Sequence, residues 1–346
     1  MTSELKRNIT SFTGIVGSEK INDLCKIKIK NERKWNDYRE RYEKLSRLEI
    51  IQNFPIQIDF ELNATCNLRC PMCPLSVELN SEKKQYKFPF ELFCKIIDEG
   101  VKYGLEAVRL NYLNEPLLRD DLEDFIFYAK NKGVQDIYFS TNGMLLNKER
   151  IKSLIAVGLD RIQISIDANS EKLYKKIRPG GNYNQVLSNI LTLVELKKEM
   201  KSLTPLVRVN FVRTEINEHE LDNFIDFWKN KVDMIGVQEM VKPPKSTQEL
   251  FSRTTERKKK FQCSQPYKLL VFTAEGKVLP CCNFYGEEMP LGNIYDFLRE
   301  NQIEDGNILK YFWSHAKIKQ LRELHKKCDY AKNPICKKCI EGALYE

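Results

Sequence analysis

The sequence predicts an α/β protein: a parallel sheet of six strands, open or curled into a partial barrel, followed by a small cysteine-rich α+β unit. Three observations carry this prediction. Strand-like stretches alternate with amphipathic helical ones from residue 53 to residue 241, the rhythm of a parallel sheet with helical crossovers. A polar, basic segment with two prolines then breaks that rhythm. Most of the eleven cysteines fall into two groups, one inside the sheet region and one in the tail.

Residues 1–52 read as an N-terminal helical extension. It ends in "NERKWNDYRERYEKLSRLEI", a charged helix with Trp35, Tyr38, Tyr42, Leu45 and Leu48 at helical intervals, a stripe suited to packing on a neighbour. Residues 53–241 hold the sheet. "PIQIDFEL" alternates as a strand and runs straight into the first cysteines, and "FPFELFCKIIDEGVKYG" follows with helical spacing, its Cys94 a small buried hydrophobe. Further strands are expected at "EAVRLNYL", "DIYFSTNG", "RIQISIDA", "LVRVNFV" and "MIGVQEM". Helices are expected between them at "DDLEDFIFYAKNKG", "NKERIKSLIAVG", "YNQVLSNILTLVELKKEM" and "HELDNFIDFWKN". Residues 242–346 open on the linker "VKPPKSTQELFSRTTERKKK". They continue with "YKLLVFTAEGKVLPCC", a hairpin turning at Glu275-Gly276, and "KIKQLRELHKKC", a helix leading into the last cysteines.

Composition fits a globular chain, with 42% hydrophobic and 30% charged residues. No apolar run approaches the roughly 20 residues that span a bilayer, and "MTSELKRNITSFTG" lacks the apolar core of a secretion signal. A cytoplasmic protein without a membrane partner is expected. In a reducing compartment, clustered cysteines bind metal or do redox chemistry. With only three histidines (His219, His315, His325), thiolate-rich sites are favoured over a histidine-based hydrolase. The net charge of +8 sits on the flanks: residues 1–52 hold 12 Lys/Arg against 8 Asp/Glu, and residues 241–346 hold 19 against 13. These flanks suit solvated helical faces, or contact with phosphorylated substrates or an acidic electron carrier; nucleic acid is not expected.

The first group, Cys66, Cys70 and Cys73 in "NATCNLRCPMCP", lies in the loop after the first strand of the sheet, at the carboxyl end where parallel sheets collect ligands. Three thiolates leave a tetrahedral metal site open. They suit a cubane iron–sulfur cluster held by three corners, with one iron free for another ligand. Zinc with a distant fourth ligand is the alternative.

The C-x3-C-x2-C spacing, with Asn67, Leu68 and Arg69 between and Pro71 and Pro74 flanking, resembles the radical SAM family over about residues 54–240. The resemblance implies a partial (β/α)6 radical SAM barrel and a 4Fe–4S cluster coordinated by three cysteines and S-adenosylmethionine. It also implies reductive cleavage of that cofactor to a 5′-deoxyadenosyl radical that abstracts hydrogen from substrate, with reduced flavodoxin or ferredoxin as electron donor. Three further stretches are similar to the family in the expected order. "NYLNEPLLRDDL" resembles the loop that binds the methionine amino group, with Asn114 and Glu115 as candidates; Tyr112-Leu113-Asn114 stand where the family usually has glycines. "STNGMLL" resembles the segment near the ribose, with Ser140, Thr141 and Asn142 as candidate polar contacts. "ISIDA", with Ser165 and Asp167, followed by "YKKIRPGG", resembles the fourth strand and its loop, where Arg178 would reach a carboxylate.

The tail holds Cys263, Cys281, Cys282, Cys328, Cys336 and Cys339. A hairpin pair plus a C-x2-C supplies four thiolates, the complement of a closed zinc or iron–sulfur site. "CSQPYKLLVFTAEGKVLPCC" followed by "LGNI" resembles the SPASM/twitch extension of radical SAM enzymes, in its shorter form with one auxiliary 4Fe–4S cluster. The expected ligands are Cys263, Cys281, Cys336 and Cys339; Cys282 is an alternative to Cys281, and Cys328 to one of the last pair.

A fully ligated auxiliary cluster suits electron transfer, and the resemblance to twitch-bearing dehydrogenases implies dehydrogenation of a sugar, aminocyclitol or nucleotide sugar. Epimerisation is a variant, with Cys282 or Cys328 as hydrogen donor. Peptide or protein modification is the second reading. A molybdenum-cofactor cyclase is disfavoured, since that family ends in Gly-Gly and this chain reads "CIEGALYE"; a non-catalytic metal-stabilised binding protein is the remaining one. Asn210, Gln238 and Glu239 are polar residues at later strand ends that would face the cavity or serve structure alone.

Overall fold

The computed structural model describes residues 6–7, 13–16, 32–78, 86–241, 261–301 and 307–342. Cys25 and all but the first residue of the linker stretch at 241–260 lie outside the described residues.

Eleven strands among the described residues form one sheet: β1 (Lys6–Arg7), β2 (Thr13–Val16), β3 (Gln57–Phe60), β4 (Ala107–Arg109), β5 (Asp136–Thr141), β6 (Arg161–Ser165), β7 (Leu206–Arg213), β8 (Met234–Glu239), β9 (Leu269–Phe272), β10 (Lys277–Leu279) and β11 (Gly292–Asn293). Their spatial order is β1-β2-β8-β7-β6-β5-β4-β3-β9-β10-β11, and the sheet does not close into a barrel. All six predicted strands, β3 to β8, are present and run parallel. The N-terminal segment, expected to be helical, also contributes β1 and β2, and β2 pairs antiparallel with β8. At the other edge β9 pairs in parallel with β3, aligning Gln57 with Leu269 and Phe60 with Phe272. The cysteine-rich tail therefore extends the same sheet. Its β9–β10 hairpin turns at Gly276, whose φ of 90° lies in the left-handed region that favours glycine.

The helices fall where the sequence periodicity places them: α1 (Glu32–Ser46) ahead of the parallel strands, and the crossovers α2 (Phe90–Tyr103), α3 (Leu122–Asn131), α4 (Lys148–Ala156), α5 (Tyr183–Glu199) and α6 (Leu221–Trp228). Their starts are set locally. The Asn147 side chain accepts from Arg150 N–H to cap α4, and Asn182 accepts from Gln185 N–H to cap α5. In the tail, α7 (Ala316–Lys326) leads to α8 (Pro334–Gly342), which carries the final C-x2-C.

Strand alternation sorts the side chains. Ile58, Phe60, Val108, Ile137, Phe139, Ile162, Ile164, Val207 and Val209 join the main core, together with helix residues such as Phe93, Phe125, Ile190 and Phe224. The alternate residues on β3 to β7 face the other way and are mostly polar, Ala107, Leu206 and Val212 being the apolar exceptions. Below them, α1 closes the amino ends of the strands: Trp35, Tyr38 and Leu45 pack with Ile56, Ala107, Leu206, Met234 and Tyr267. Each such burial contributes about 1.5–3 kcal/mol, and Tyr38 Oη donates to Asp136 Oδ2 at 2.9 Å. Cys94 differs from expectation. It lies at the margin of the α2 face and is only half-buried, packed against the core rather than inside it.

Candidate active site

One cavity of about 490 Å³ lies at the carboxyl ends of the strands and reaches the tail. Cys66, Cys70 and Cys73 line it, and so do Cys263, Cys281, Cys336 and Cys339.

The first thiol loop is stitched to its neighbours. Glu115 N–H donates to Thr65 O at 2.9 Å, and Asn114 Nδ2 donates to Asn63 Oδ1 at 2.8 Å. Glu115 is buried, and its carboxylate accepts from Thr141 Oγ1 at 2.7 Å, Asn142 N at 2.8 Å and Leu117 N at 3.1 Å. Burial raises the Glu115 pKa, with these hydrogen bonds opposing. Asn142 Nδ2 donates to Asn67 Oδ1 at 2.7 Å and points at Cys66 Sγ at 3.9 Å. Ser140 N donates to Asn111 Oδ1 at 2.7 Å, and Ser140 Oγ to Gln163 Oε1 at 3.2 Å. Ser165 lines the cavity beside them. Arg178 grips Asp167 through Nε and Nη2 and directs Nη1 at Cys70 Sγ, 3.7 Å away. The carboxylate that Arg178 reaches here is the chain's own. All of the predicted residues around the first three cysteines are thus brought together.

Without a bound cation, burial keeps these thiols protonated. Burial pushes the Cys70 thiol up to about 12; Arg178 lowers it, and the charges of Cys73 and Cys66 raise it again. A metal binding these sulfurs as thiolates offsets that desolvation. In the tail, burial raises Cys281 first, and the charges of Cys263, Cys282, Cys339 and Cys336 add to it, so four thiols surround this one. A Cβ on Gly286 would fall 2.9 Å from Cys281 Sγ, so the backbone there leaves room for the sulfur alone. Among the described residues no three Cys, His, Asp or Glu side chains converge tightly enough for a single metal ion. The grouped but open spacing is compatible with a cluster that brings its own irons and sulfides.

The alternative cysteines separate. Cys282 lines the cavity and packs with Tyr112, Leu269, Val271 and Leu279. Burial, with the Asp59 charge, pushes it up to about 11, while Arg109 opposes. Cys328 follows α7 and does not line the cavity. Asn210 and Gln238 line the cavity, whereas Glu239 does not. At period two it faces away from Gln238 and pairs with Arg213 at 2.9 Å. Sequence reasoning missed Asp59, Arg109, Tyr138, Gln163 and Arg208, which line the same cavity below the thiol loop. Their signal was a polar residue at alternate positions of strands that, in a helix-covered parallel sheet, would otherwise be apolar on both faces.

Fold and site together define an α/β protein that presents two thiol groups, suited to iron–sulfur clusters, to one cavity. The sequence matches the radical SAM superfamily over residues 60–227 and the SPASM iron–sulfur cluster-binding domain over residues 263–340. The chain belongs to the radical SAM superfamily and carries a C-terminal SPASM domain. These domains define its cofactors as a 4Fe–4S cluster, S-adenosylmethionine and an auxiliary iron–sulfur cluster. Among its relatives is a probable GTP 3′,8-cyclase of Methanococcus maripaludis, 33% identical over 184 residues, covering 53% of this chain and 59% of the relative. Another, from Methanosarcina mazei, is 34% identical over 210 residues, covering 56% and 57%. The chain thus spans about half the length of the curated relatives it matches. Among solved structures, Streptococcus suis SuiB bound to S-adenosylmethionine has a TM-score of 0.58 at 13% identity, covering 94% of this chain and 90% of that one. The structure titled anSMEcpe with bound AdoMet has a TM-score of 0.57 at 15% identity, covering 83% and 89%. At these identities the likeness is one of fold. No helix among the described residues is long and apolar enough to cross a membrane.

Proposed function

We propose that this radical SAM enzyme abstracts hydrogen from a small polar substrate, a sugar, aminocyclitol or nucleotide sugar, and completes a dehydrogenation. The observation that carries the reading is one cavity lined by both thiol groups. Cys66, Cys70 and Cys73 would hold the first cluster, and Cys263, Cys281, Cys336 and Cys339 the auxiliary one. When bound and reduced, the first cluster with S-adenosylmethionine supplies a hydrogen-abstracting 5′-deoxyadenosyl radical, and a fully ligated auxiliary cluster supplies an electron acceptor.

The chain's own residues orient these partners. Glu115 fixes the Asn114 and Asn142 loops to each other, and backbone carbonyls of the first and the Ser140–Asn142 turn of the second would hold the methionine and ribose ends of the cofactor. Arg178, held by Asp167, directs an N–H toward the sulfur of Cys70 and offsets its charge. Asp59 lies among Gln57, Arg109 and Lys268, which favour its ionised form, while burial raises its pKa to about 6; it is suited to receive the substrate proton. A cytoplasmic setting and a reduced flavodoxin or ferredoxin as donor belong to the same reading.

A second reading, radical cyclisation of a purine nucleotide, is favoured by the sequence identity with the GTP 3′,8-cyclases. The test is anaerobic turnover with S-adenosylmethionine and reductant against sugar and nucleotide panels, scored for 5′-deoxyadenosine and by product mass. Loss of two mass units from a sugar supports dehydrogenation. An isomeric cyclised nucleotide supports the second reading. Absence of 5′-deoxyadenosine from every reaction contradicts both.

A further inference from the structure

Three arginines line the cavity, and two of them are matched. Arg178 pairs with Asp167, and Arg109 with Asp59 at 3.5 Å; just behind the wall, Arg161 pairs with Asp136 at 2.7 Å. Arg208 on β7 is the exception. It is nine-tenths buried and lines the cavity, and among the described residues its guanidinium has neither a hydrogen-bond nor an ion-pair partner. The charges that act on it most are those of Arg161 and Arg109, both repulsive, with Tyr138 opposing them. Burial first, then Arg161 and more weakly Arg109, pull its pKa down to about 10 against Tyr138. An unpaired guanidinium in such a place is costly, because its desolvation goes uncompensated.

The surroundings are arranged to keep it there. β7 places Arg208 beside Gln163 of β6, and places Asn210 beside Ser165 of β6 and Gly236 of β8. A Cβ on Gly236 would lie 2.1 Å from an Arg208 Nη atom, so the guanidinium rests on bare backbone where any side chain would displace it. Two residues along β7, Asn210 is buried, lines the same cavity, and its Oδ1 accepts no hydrogen bond. The pair offers an unused cationic fork and an unused acceptor on one wall.

We propose that Arg208 anchors the substrate by binding an oxyanion it carries, a phosphate or a carboxylate, an assignment that rests on reading this cavity as the substrate site. A guanidinium presents parallel N–H donors that match two oxygens of either group, and Asn210 Oδ1 accepts from a neighbouring hydroxyl or amine of the same molecule. The substrate is then an anionic sugar or nucleotide, and a neutral or cationic aminocyclitol is disfavoured.

The test uses anaerobically reconstituted protein: wild type, Arg208→Gln and Arg208→Lys, melted in inorganic phosphate, in acetate, and in chloride of matched ionic strength. Phosphate or acetate is expected to raise the wild-type Tm over chloride, as a ligand selective for the folded state does. Arg208→Gln is expected to lose that increment while melting above wild type in chloride, because it removes an unpaired buried charge. Arg208→Lys is expected to keep part of the increment. A shift with phosphate alone assigns a phosphorylated substrate, and with acetate alone a carboxylate. No shift in wild type, or equal shifts in wild type and Arg208→Gln, overturns the proposal. Formation of 5′-deoxyadenosine is followed in parallel on the same preparations. Its absence alongside an Arg208-dependent shift sinks the radical reading and leaves the anion site standing.

Discussion

Arg178 Nε lies 2.9 Å from Asp167 Oδ2, and the same guanidinium directs Nη1 at Cys70 Sγ. The side chain thus spans from β6 to the thiol loop, fixed by a carboxylate that is fully buried. Replacing Arg178 by Ala strands that carboxylate, at a cost of about 3–5 kcal/mol. The expected outcome is a lower urea midpoint and weaker loading of the first cluster. Retained midpoint and iron content in Arg178→Ala would show that the bridge is dispensable.

Glu115 acts between loops. Its carboxylate serves Thr141 Oγ1, Asn142 N and Leu117 N, so Glu115→Ala takes the acceptor from three donors at about 1–3 kcal/mol each. Cysteine ligation does not pass through Glu115. The expected variant therefore assembles its first cluster but binds S-adenosylmethionine at least tenfold more weakly by equilibrium dialysis. Unchanged affinity would contradict the positioning role.

Asp59 makes stability depend on pH. Burial raises it from 3.8 to about 6, so between those values the folded protein holds a proton that the unfolded chain has released. Stability falls as pH rises from about 4 to about 6, by about 3 kcal/mol from this group. Urea midpoints measured across that range should show the slope in wild type and a flatter one in Asp59→Asn. Identical slopes would remove Asp59 as its source.

The tail thiols are expected to act as a unit, because separate segments supply them. Cys336→Ala is expected to lower iron per chain and destabilise the tail, while the first cluster still assembles. Equal loss of both clusters, read by iron content together with spectroscopy of each centre, would contradict that independence.

Helix α1 closes the sheet through apolar contact. Trp35→Ala opens a cavity where the ring meets no solvent, and is expected to cost about 3–5 kcal/mol in denaturant unfolding. A change below about 1 kcal/mol would mean that α1 is not docked as described.

Much of this architecture was legible in the sequence, for physical reasons. β3 to β8 are marked by runs such as Leu206–Arg213 whose periodicity admits one assignment, and Gly276 marks a turn that requires a left-handed residue. The three-thiol loop and its supporting segments were legible as an ordered set. β1 and β2 were not, since strands of two and four residues exist by pairing on the edge of β8 rather than by their own pattern. The sequence left Gln238 and Glu239 open between cavity and structure, and they divide because one step along a strand reverses the face. Arg208 and Asp59 went unread because a polar residue inside a strand says little until its neighbours show that it has no partner, or that water is excluded.

The most direct test of the central claim, two clusters across one cavity, is iron, sulfide and zinc per chain after anaerobic reconstitution. Wild type is compared with a variant in which Cys66, Cys70 and Cys73 are all replaced by Ala. About eight irons falling to about four is the expected result. About four irons falling to near zero, with zinc present in both, would contradict it: the tail would then be structural, and no electron acceptor would face the substrate.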